Sequence, residues 1–166
     1  MIIIFTSETI SADRFSDYVV NYTDIGLGVY GDFEMVIPII GYVSCGMGEE
    51  EQQQIVEYIR IPASLLGKGD FYALIAKGYS MIKAGIYPGD YVIVDKTKKP
   101  DKGDVVVALI DGRNNLKRLQ YDYSNERYVL ESCNSDKVNY PDIYTKSLYV
   151  QGVAVFVIHK MNDQVI

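Results

Sequence analysis

The sequence predicts a mainly β domain, and two observations carry that prediction. Strand-like runs recur after residue 70 with turn-forming residues between them. No long amphipathic helix separates these runs, which disfavours alternating parallel βαβ units. With 166 residues, 48% of them apolar, the chain can bury one core, so one domain with an arm is expected. The runs lie at residues 71–77, 91–95, 104–110, 115–121, 127–133 and 147–160.

The first 33 residues are expected to form an N-terminal arm. Within residues 6–24, apolar and aromatic side chains recur at roughly helical spacing, which predicts one short helix. Glycines at 26, 28 and 31 then end the periodicity. The domain is predicted to span residues 34–166, and its first run, EMVIPIIGYVS, contains Pro38, which suits an edge or bent strand.

Turn chemistry separates the later elements. Pairs such as Asp111-Gly112 and Ser124-Asn125 stand between the runs and favour turns. The polar run at 49–54 is expected to be a solvated loop or a short helix. The run at 148–158 is apolar on both faces around Gly152, so it is either a central core strand or a dimer-forming strand.

Composition excludes several classes of function. A net charge of −6 gives the chain no general attraction to phosphate, and Arg14 is the only basic residue before Cys45, so direct DNA binding is not expected. One histidine, His159, and two cysteines, Cys45 and Cys133, leave no multi-histidine or cysteine-rich metal site, and no cofactor is expected. Neither a signal peptide nor a membrane span is recognisable, and the cysteine usage favours the cytoplasm.

Ser80 and Lys117 are the candidates for catalysis. Ser80 follows a strand-like run and precedes SMIKAG, which can form one helical turn, so the serine sits at a strand-to-helix junction. A serine nucleophile needs a base, and Lys117, 37 residues later, is a candidate if burial keeps it neutral. Strand alternation allows Lys117 to point inward while Arg118 points outward. A Cys–His pair using His159 is the weaker alternative, and His159 is expected at a strand end or an interface.

These residues belong to a wider pattern that resembles the LexA-like self-cleaving proteins, the S24 serine peptidases. The resemblance covers roughly residues 38–160. Four short motifs carry it: Gly78/Ser80/Met81, Gly85/Ile86/Gly89/Asp90, Gly103/Asp104/Val105 and Lys117/Arg118/Leu119.

The resemblance implies a fold, a reaction and partners. The fold would be the LexA-like peptidase fold of small twisted antiparallel sheets with short helical turns. A Ser80/Lys117 dyad would cut one bond of the chain itself, with backbone N–H groups at Tyr79 and Ser80 stabilising the oxyanion. The expected bond is Cys45-Gly46, in a cleavage loop around residues 42–50. Family members form homodimers and are triggered by RecA filaments on single-stranded DNA in the SOS response to DNA damage.

Two alternatives stay open at this point. The short arm fits either a UmuD-like protein that acts on a partner polymerase or the C-terminal part of a longer repressor. The chain could also be a non-cleaving dimerisation module of a LexA-like or phage-type repressor, with an inactive dyad.

Overall fold

The computed structural model describes residues 33–43, 52–110 and 112–159, and it describes the backbone but not the side chains of residues 42, 43, 52 and 53. Within these ranges the chain forms nine strands, one four-residue helix and one 3₁₀ turn. In chain order these are β1 (Glu34–Val43), β2 (Gln52–Pro62), α1 (Ala63–Leu66), β3 (Phe71–Ile75), the 3₁₀ turn (Ile82–Ala84), β4 (Tyr91–Asp95), β5 (Val105–Ile110), β6 (Arg113–Asp122), β7 (Arg127–Glu131), β8 (Ile143–Thr145) and β9 (Tyr149–Ile158).

The mainly β fold predicted from the sequence is confirmed. The strands join into one continuous ladder in the order β2-β1-β3-β4-β9-β5-β6-β7-β8, rather than into separate small sheets. Neighbouring strands are antiparallel except β1 and β3, which pair in parallel through Ile39↔Ala73 and Ile40↔Leu74. The parallel pair sends the carboxyl ends of both strands in the same direction.

The run at 148–158 contains a central strand. β9 pairs with β4 on one side and with β5 on the other. Gly152 is required there, since a Cβ atom would lie 2.6 Å from Val94 Cγ1 and 2.8 Å from the Asp95 carbonyl oxygen. The close approach of these backbones joins the half of the sheet that contains β3 to the half that contains β6.

Three clusters of buried side chains form the core. Strand alternation sends Tyr72 and Leu74 of β3 into one cluster and Phe71 and Ala73 into another. A third cluster lies under β5, β6, β7 and β9. The first cluster, called the central core below, consists of Tyr72, Leu74, Met81, Ile86, Val92, Val94, Val107 and Cys133. Each buried aliphatic side chain contributes about 1.5–3 kcal/mol to stability.

Two strands were missed by the sequence analysis. The polar run at 49–54 was expected to be a loop or a short helix, but residues 52–54 begin β2. β2 is an edge strand in which Ile55, Val56 and Tyr58 are exposed and only Ile59 and Ile61, near its end, pack into the core. Pairing with β1 therefore accounts for most of the strand. The short β8 pairs with β7 at the opposite edge and has no strong apolar pattern of its own.

The arm and the cleavage loop lie largely outside the described residues. This holds for the predicted helix within 6–24 and for residues 44–50 of the loop, including Cys45 and Gly46. The division into an arm at 1–33 and a domain at 34–166 stays a prediction, although β1 begins at Glu34. No helix in the described part of the chain is long and apolar enough to cross a membrane.

Candidate active site

Ser80 lies in a tight turn that follows β3. Gly78 has φ = +71°, a left-handed conformation that glycine adopts without strain. Met81, which is 3% exposed, inserts into the central core and holds the turn down. The 3₁₀ turn Ile82–Ala84 comes next, so the serine stands at the strand-to-helix junction expected from the sequence.

Lys117 is positioned by the middle of β6. Its backbone pairs with Val106 of β5, and its residue is only 8% exposed. Arg118, the next residue, is half-buried, which fits the expectation that only one of the two cations points inward. Burial of a single cation in this position is costly unless the cation loses its proton.

The structure brings Ser80 and Lys117 together. Lys117 Nζ donates a hydrogen bond to Ser80 Oγ at 3.0 Å. Burial lowers the pKa of Lys117, while the nearby Cys133 and Asp142 act in the opposite direction. The lowering by burial prevails, so the amine is more easily neutral than an exposed lysine and can serve as a proton acceptor.

Residues 132–142, called the strap below, follow β7 and brace the serine turn. They were not identified from the sequence. Asn134 Nδ2 donates to the Tyr79 carbonyl oxygen at 2.7 Å, and Lys83 N–H donates to the Cys133 carbonyl oxygen at 2.8 Å. Asn134 is 55 residues from Tyr79 and follows a run predicted only as a strand, so no local sequence signal marks it.

Hydrogen bonds within the strap link its two ends. Asp142 accepts hydrogen bonds from the Ser132 N–H at 2.8 Å and from Lys137 Nζ at 2.7 Å. Lys137 Nζ also donates to the Ser132 carbonyl oxygen at 2.6 Å. These bonds connect the segment that carries Asn134, whose side chain contacts the serine turn.

A cleft of about 280 Å³ opens beside the dyad. Ser80 and Lys117 both line it. Apolar side chains from four strands, β3 to β6, form much of its wall, and they are Leu74, Val92, Val107 and Leu116. Such a cleft can accept a short stretch of peptide with small or apolar side chains next to the serine hydroxyl.

The other sequence candidates lie apart from this dyad. His159 directly follows β9, as expected for a strand-end residue, and its Nδ1 lies 2.6 Å from Asp90 Oδ1. Cys133 is buried, and burial raises the pKa of its thiol, which disfavours the nucleophilic thiolate. Tyr79 supplies a backbone carbonyl to Asn134 while its side chain is exposed. The role of the Tyr79 and Ser80 N–H groups as oxyanion donors stays a prediction.

Comparison with known proteins places this arrangement in a family. Residues 38–155 match the family model described as Peptidase S24-like. The LexA repressor of Syntrophomonas wolfei subsp. wolfei is 41% identical over 93 residues, covering 56% of this chain and 44% of that protein. The LexA repressor of Anaeromyxobacter dehalogenans strain 2CP-1 is 34% identical over 126 residues, covering 75% of this chain and 55% of that protein.

The chain spans about half the length of the curated relatives it matches. The family model, in contrast, covers well over half of this chain and includes the serine turn, β6 and most of β9. The chain therefore belongs to the S24-like peptidase family, as a LexA/UmuD-like member.

Proposed function

We propose that this protein is a serine autopeptidase that cuts its own Cys45-Gly46 bond with Ser80 as nucleophile and Lys117 as general base. One observation carries the proposal: a lysine that is 8% exposed lies 3.0 Å from the serine hydroxyl in an open cleft. A nucleophile within hydrogen-bond reach of a base with a lowered pKa is the arrangement that activates a serine.

In the proposed reaction the proton moves twice. Neutral Lys117 takes the proton of Ser80 as Oγ forms a bond to the Cys45 carbonyl carbon. The protonated lysine then gives that proton to the Gly46 nitrogen as the Cys45-Gly46 bond breaks. Water attacks the resulting ester with Lys117 again as base, which frees Ser80 and leaves a new carboxyl group on Cys45.

The strand topology supports Cys45-Gly46 as the bond that is cut. β1 leads toward Cys45 and β3 leads toward Ser80, and the two strands are parallel neighbours. Cys45 follows the paired Ile40 by five residues, and Ser80 follows its partner Leu74 by six. β1 and β3 therefore end on the same side of the sheet, which supports access of the Cys45-Gly46 bond to Ser80.

The short connection between β1 and β2 supports cleavage within one chain. The segment 44–51 is bounded by the backbone pair Val43↔Gln52 at the end of the β1–β2 ladder. A short segment held at both ends has a high effective concentration near a site on the neighbouring strand. Cleavage must therefore be restrained, and a RecA filament on single-stranded DNA is the proposed trigger, within an SOS role supported by the similarity to LexA repressors.

A homodimer is proposed as the working unit. Val155 and Phe156 of β9 are 39% and 37% exposed although β9 is a central strand. Exposed apolar side chains at the middle of a sheet suit contact with a second copy of the chain. The same observation favours the second candidate function, a non-cleaving dimerisation module of a repressor.

The self-cleaving peptidase itself could have either of two outcomes. Cleavage would inactivate a repressor, or it would activate a UmuD-like factor that acts on a partner polymerase.

Mass spectrometry of the purified chain at pH 7 and at about pH 10 tests the proposal, because the higher pH approaches the ordinary lysine pKa of about 10.4. We expect fragments 1–45 and 46–166, formed faster at the higher pH. Ser80→Ala and Lys117→Ala are expected to stay intact. A wild-type chain that remains whole at both pH values and with activated RecA filaments would overturn the proposal and favour the dimerisation module.

A further inference from the structure

The peptide unit between Tyr79 and Ser80 carries two groups with separate tasks. Its carbonyl oxygen belongs to Tyr79, and its N–H belongs to Ser80. A trans peptide is planar, so the C=O and N–H groups point in opposite directions. The peptide bonds of the described residues are all trans. Whatever holds the Tyr79 carbonyl therefore sets the direction of the Ser80 N–H.

Asn134 holds that carbonyl. Its Nδ2 donates to the Tyr79 oxygen at 2.7 Å, a shorter bond than the 3.5 Å contact from the Ile82 N–H. The Asn134 side chain is itself fixed, since Oδ1 accepts the Asp136 N–H at 2.9 Å and the residue is 9% exposed. Both ends of the amide are used, so its orientation is determined.

The two sides of this peptide face different surroundings. Ser80 lines the cleft, whereas Asn134 does not. Among the described residues, the Ser80 N–H donates no hydrogen bond to a backbone carbonyl group. An N–H that is aimed away from Asn134 and has no partner in the described residues is available to an oxygen atom in the cleft.

From this geometry we infer that Asn134 is a positioning residue that orients the Ser80 N–H toward the oxyanion formed when Ser80 attacks a carbonyl group. The inference rests on the proposed function and adds to it a residue outside the dyad. Preorganised donors of this kind contribute only when charge develops on the substrate oxygen. Asn134 should therefore affect the rate of bond cleavage without changing the titration of the base.

Asn134→Asp tests the inference with little change in shape. Aspartate keeps the acceptor for the Asp136 N–H but replaces the donor to Tyr79 with an oxygen that repels the carbonyl. Asn139→Asp is the matched control, because Asn139 is an exposed asparagine of the same strap that bonds to Asp136. Self-cleavage rates are measured from about pH 7 to about pH 10 by mass spectrometry, a range that approaches the ordinary pKa of lysine.

We expect Asn134→Asp to cleave at least about 10-fold more slowly than the wild type at every pH. In Asn134→Ala, which adds no charge near Lys117, the rate should also fall while the pH of half-maximal rate stays unchanged, and Asn139→Asp should cleave nearly as fast as the wild type. A shifted pH midpoint in Asn134→Ala would mean that Asn134 acts through Lys117 and would overturn the inference. Equal rates in Asn134→Asp and Asn139→Asp would overturn it as well.

Folding is followed in parallel by thermal unfolding. If Asn134→Asp does not fold, Asn134→Ala replaces it, since alanine removes the donor without adding a charge. A folded Asn134→Ala that cleaves as fast as the wild type would overturn the inference while the proposed function stands. A wild-type chain that never cleaves would instead overturn the proposed function, and the inference with it.

Discussion

The region around Lys117 and the region around Asp90 each hold a buried ionisable side chain, but only one of them supplies strong polar partners. Asp90 is 1% exposed and accepts the Tyr87 N–H at 2.8 Å, and its other oxygen lies 2.6 Å from His159 Nδ1. Lys117 is 8% exposed, and its only hydrogen bond among the described residues goes to the neutral hydroxyl of Ser80.

This difference in partners suits Asp90 to holding a turn in place and Lys117 to proton transfer. A buried carboxylate whose oxygens are satisfied holds its turn in place. A buried amine that faces only a hydroxyl is destabilised in its charged form, so its pKa falls. The fold therefore tolerates Lys117 at a cost in stability, and the lowered pKa that accompanies this cost is what the proposed role as general base requires.

The largest expected effect comes from removing the amine. Lys117→Met keeps an unbranched apolar side chain in place of the lysine stem but lacks the amine, and it should abolish self-cleavage, with a loss of at least about 1,000-fold. Lys96→Met is the matched control, because Lys96 is an exposed lysine that pairs with Asp70, and neither residue lines the cleft. Fragment formation by mass spectrometry measures both. Cleavage by Lys117→Met at the wild-type rate would remove Lys117 from the reaction.

The same substitution should stabilise the fold. In a Ser80→Ala background, which keeps the chain intact, Lys117→Met is expected to raise the free energy of unfolding at pH 7 by about 1 kcal/mol or more, since a buried charge is replaced by an apolar group. Urea titration measures the change. A destabilised methionine variant would show that the charged lysine is well accommodated.

The pH dependence of that gain follows from the direction of the shift. The folded pKa of Lys117 lies below its unfolded value, so the unfolded chain binds more protons between the two values. The stability of the lysine form therefore rises with pH in that window, up to about pH 10.4. The advantage of Lys117→Met should shrink as the pH rises. An advantage that is constant with pH would contradict the lowered pKa.

Substitution of Asp90 should lower stability and leave cleavage nearly unchanged, which is the reverse of what is expected for Lys117→Met. Asp90→Ala leaves the Tyr87 N–H and His159 without their acceptor and is expected to lower the free energy of unfolding by about 2 kcal/mol. The self-cleavage rate of the folded fraction should change less than about threefold, because Asp90 does not line the cleft. Asp70→Ala, at an exposed ion pair, should cost under about 0.5 kcal/mol. A loss of cleavage greater than the loss of folded protein would place Asp90 in the chemistry.

A final comparison uses one glycine from each region. Gly78 and Gly89 have φ values of +71° and +93°, and a Cβ atom at either would contact nothing within 4 Å. Alanine should therefore cost about 1–2 kcal/mol at each position through backbone strain alone. Only Gly78→Ala should also slow self-cleavage, since it distorts the turn that carries Ser80. Equal cleavage rates in the two variants would show that this turn tolerates distortion.

Much of the fold could be predicted from the sequence because most strands bury one face. The runs at 71–77, 91–95 and 104–110 all contain strands, since their apolar residues are needed in the core. β2 was missed because it is exposed on much of its surface and depends on pairing with β1. The continuous ladder through β9 could not be predicted either, since strand order depends on contacts far apart in sequence.

The residues of the candidate site could be predicted from the sequence, but the distances between them could not. The chemistry of serine and lysine and the family resemblance selected Ser80 and Lys117, while the 3.0 Å bond between them depends on how two halves of the sheet meet. Asn134 could not be found from the sequence, because its role depends on a contact with a turn 55 residues away.

The decisive test of Lys117 as the general base is the pH profile of the self-cleavage rate, measured from about pH 6 to about pH 11 on the wild type and on Lys117→Met. We expect the wild-type rate to rise and level off with a midpoint below about 10.4, the ordinary pKa of lysine, whereas Lys117→Met should not cleave. A rate that climbs about tenfold per pH unit through that value, equally in both proteins, would show hydroxide acting as the base and would contradict the claim.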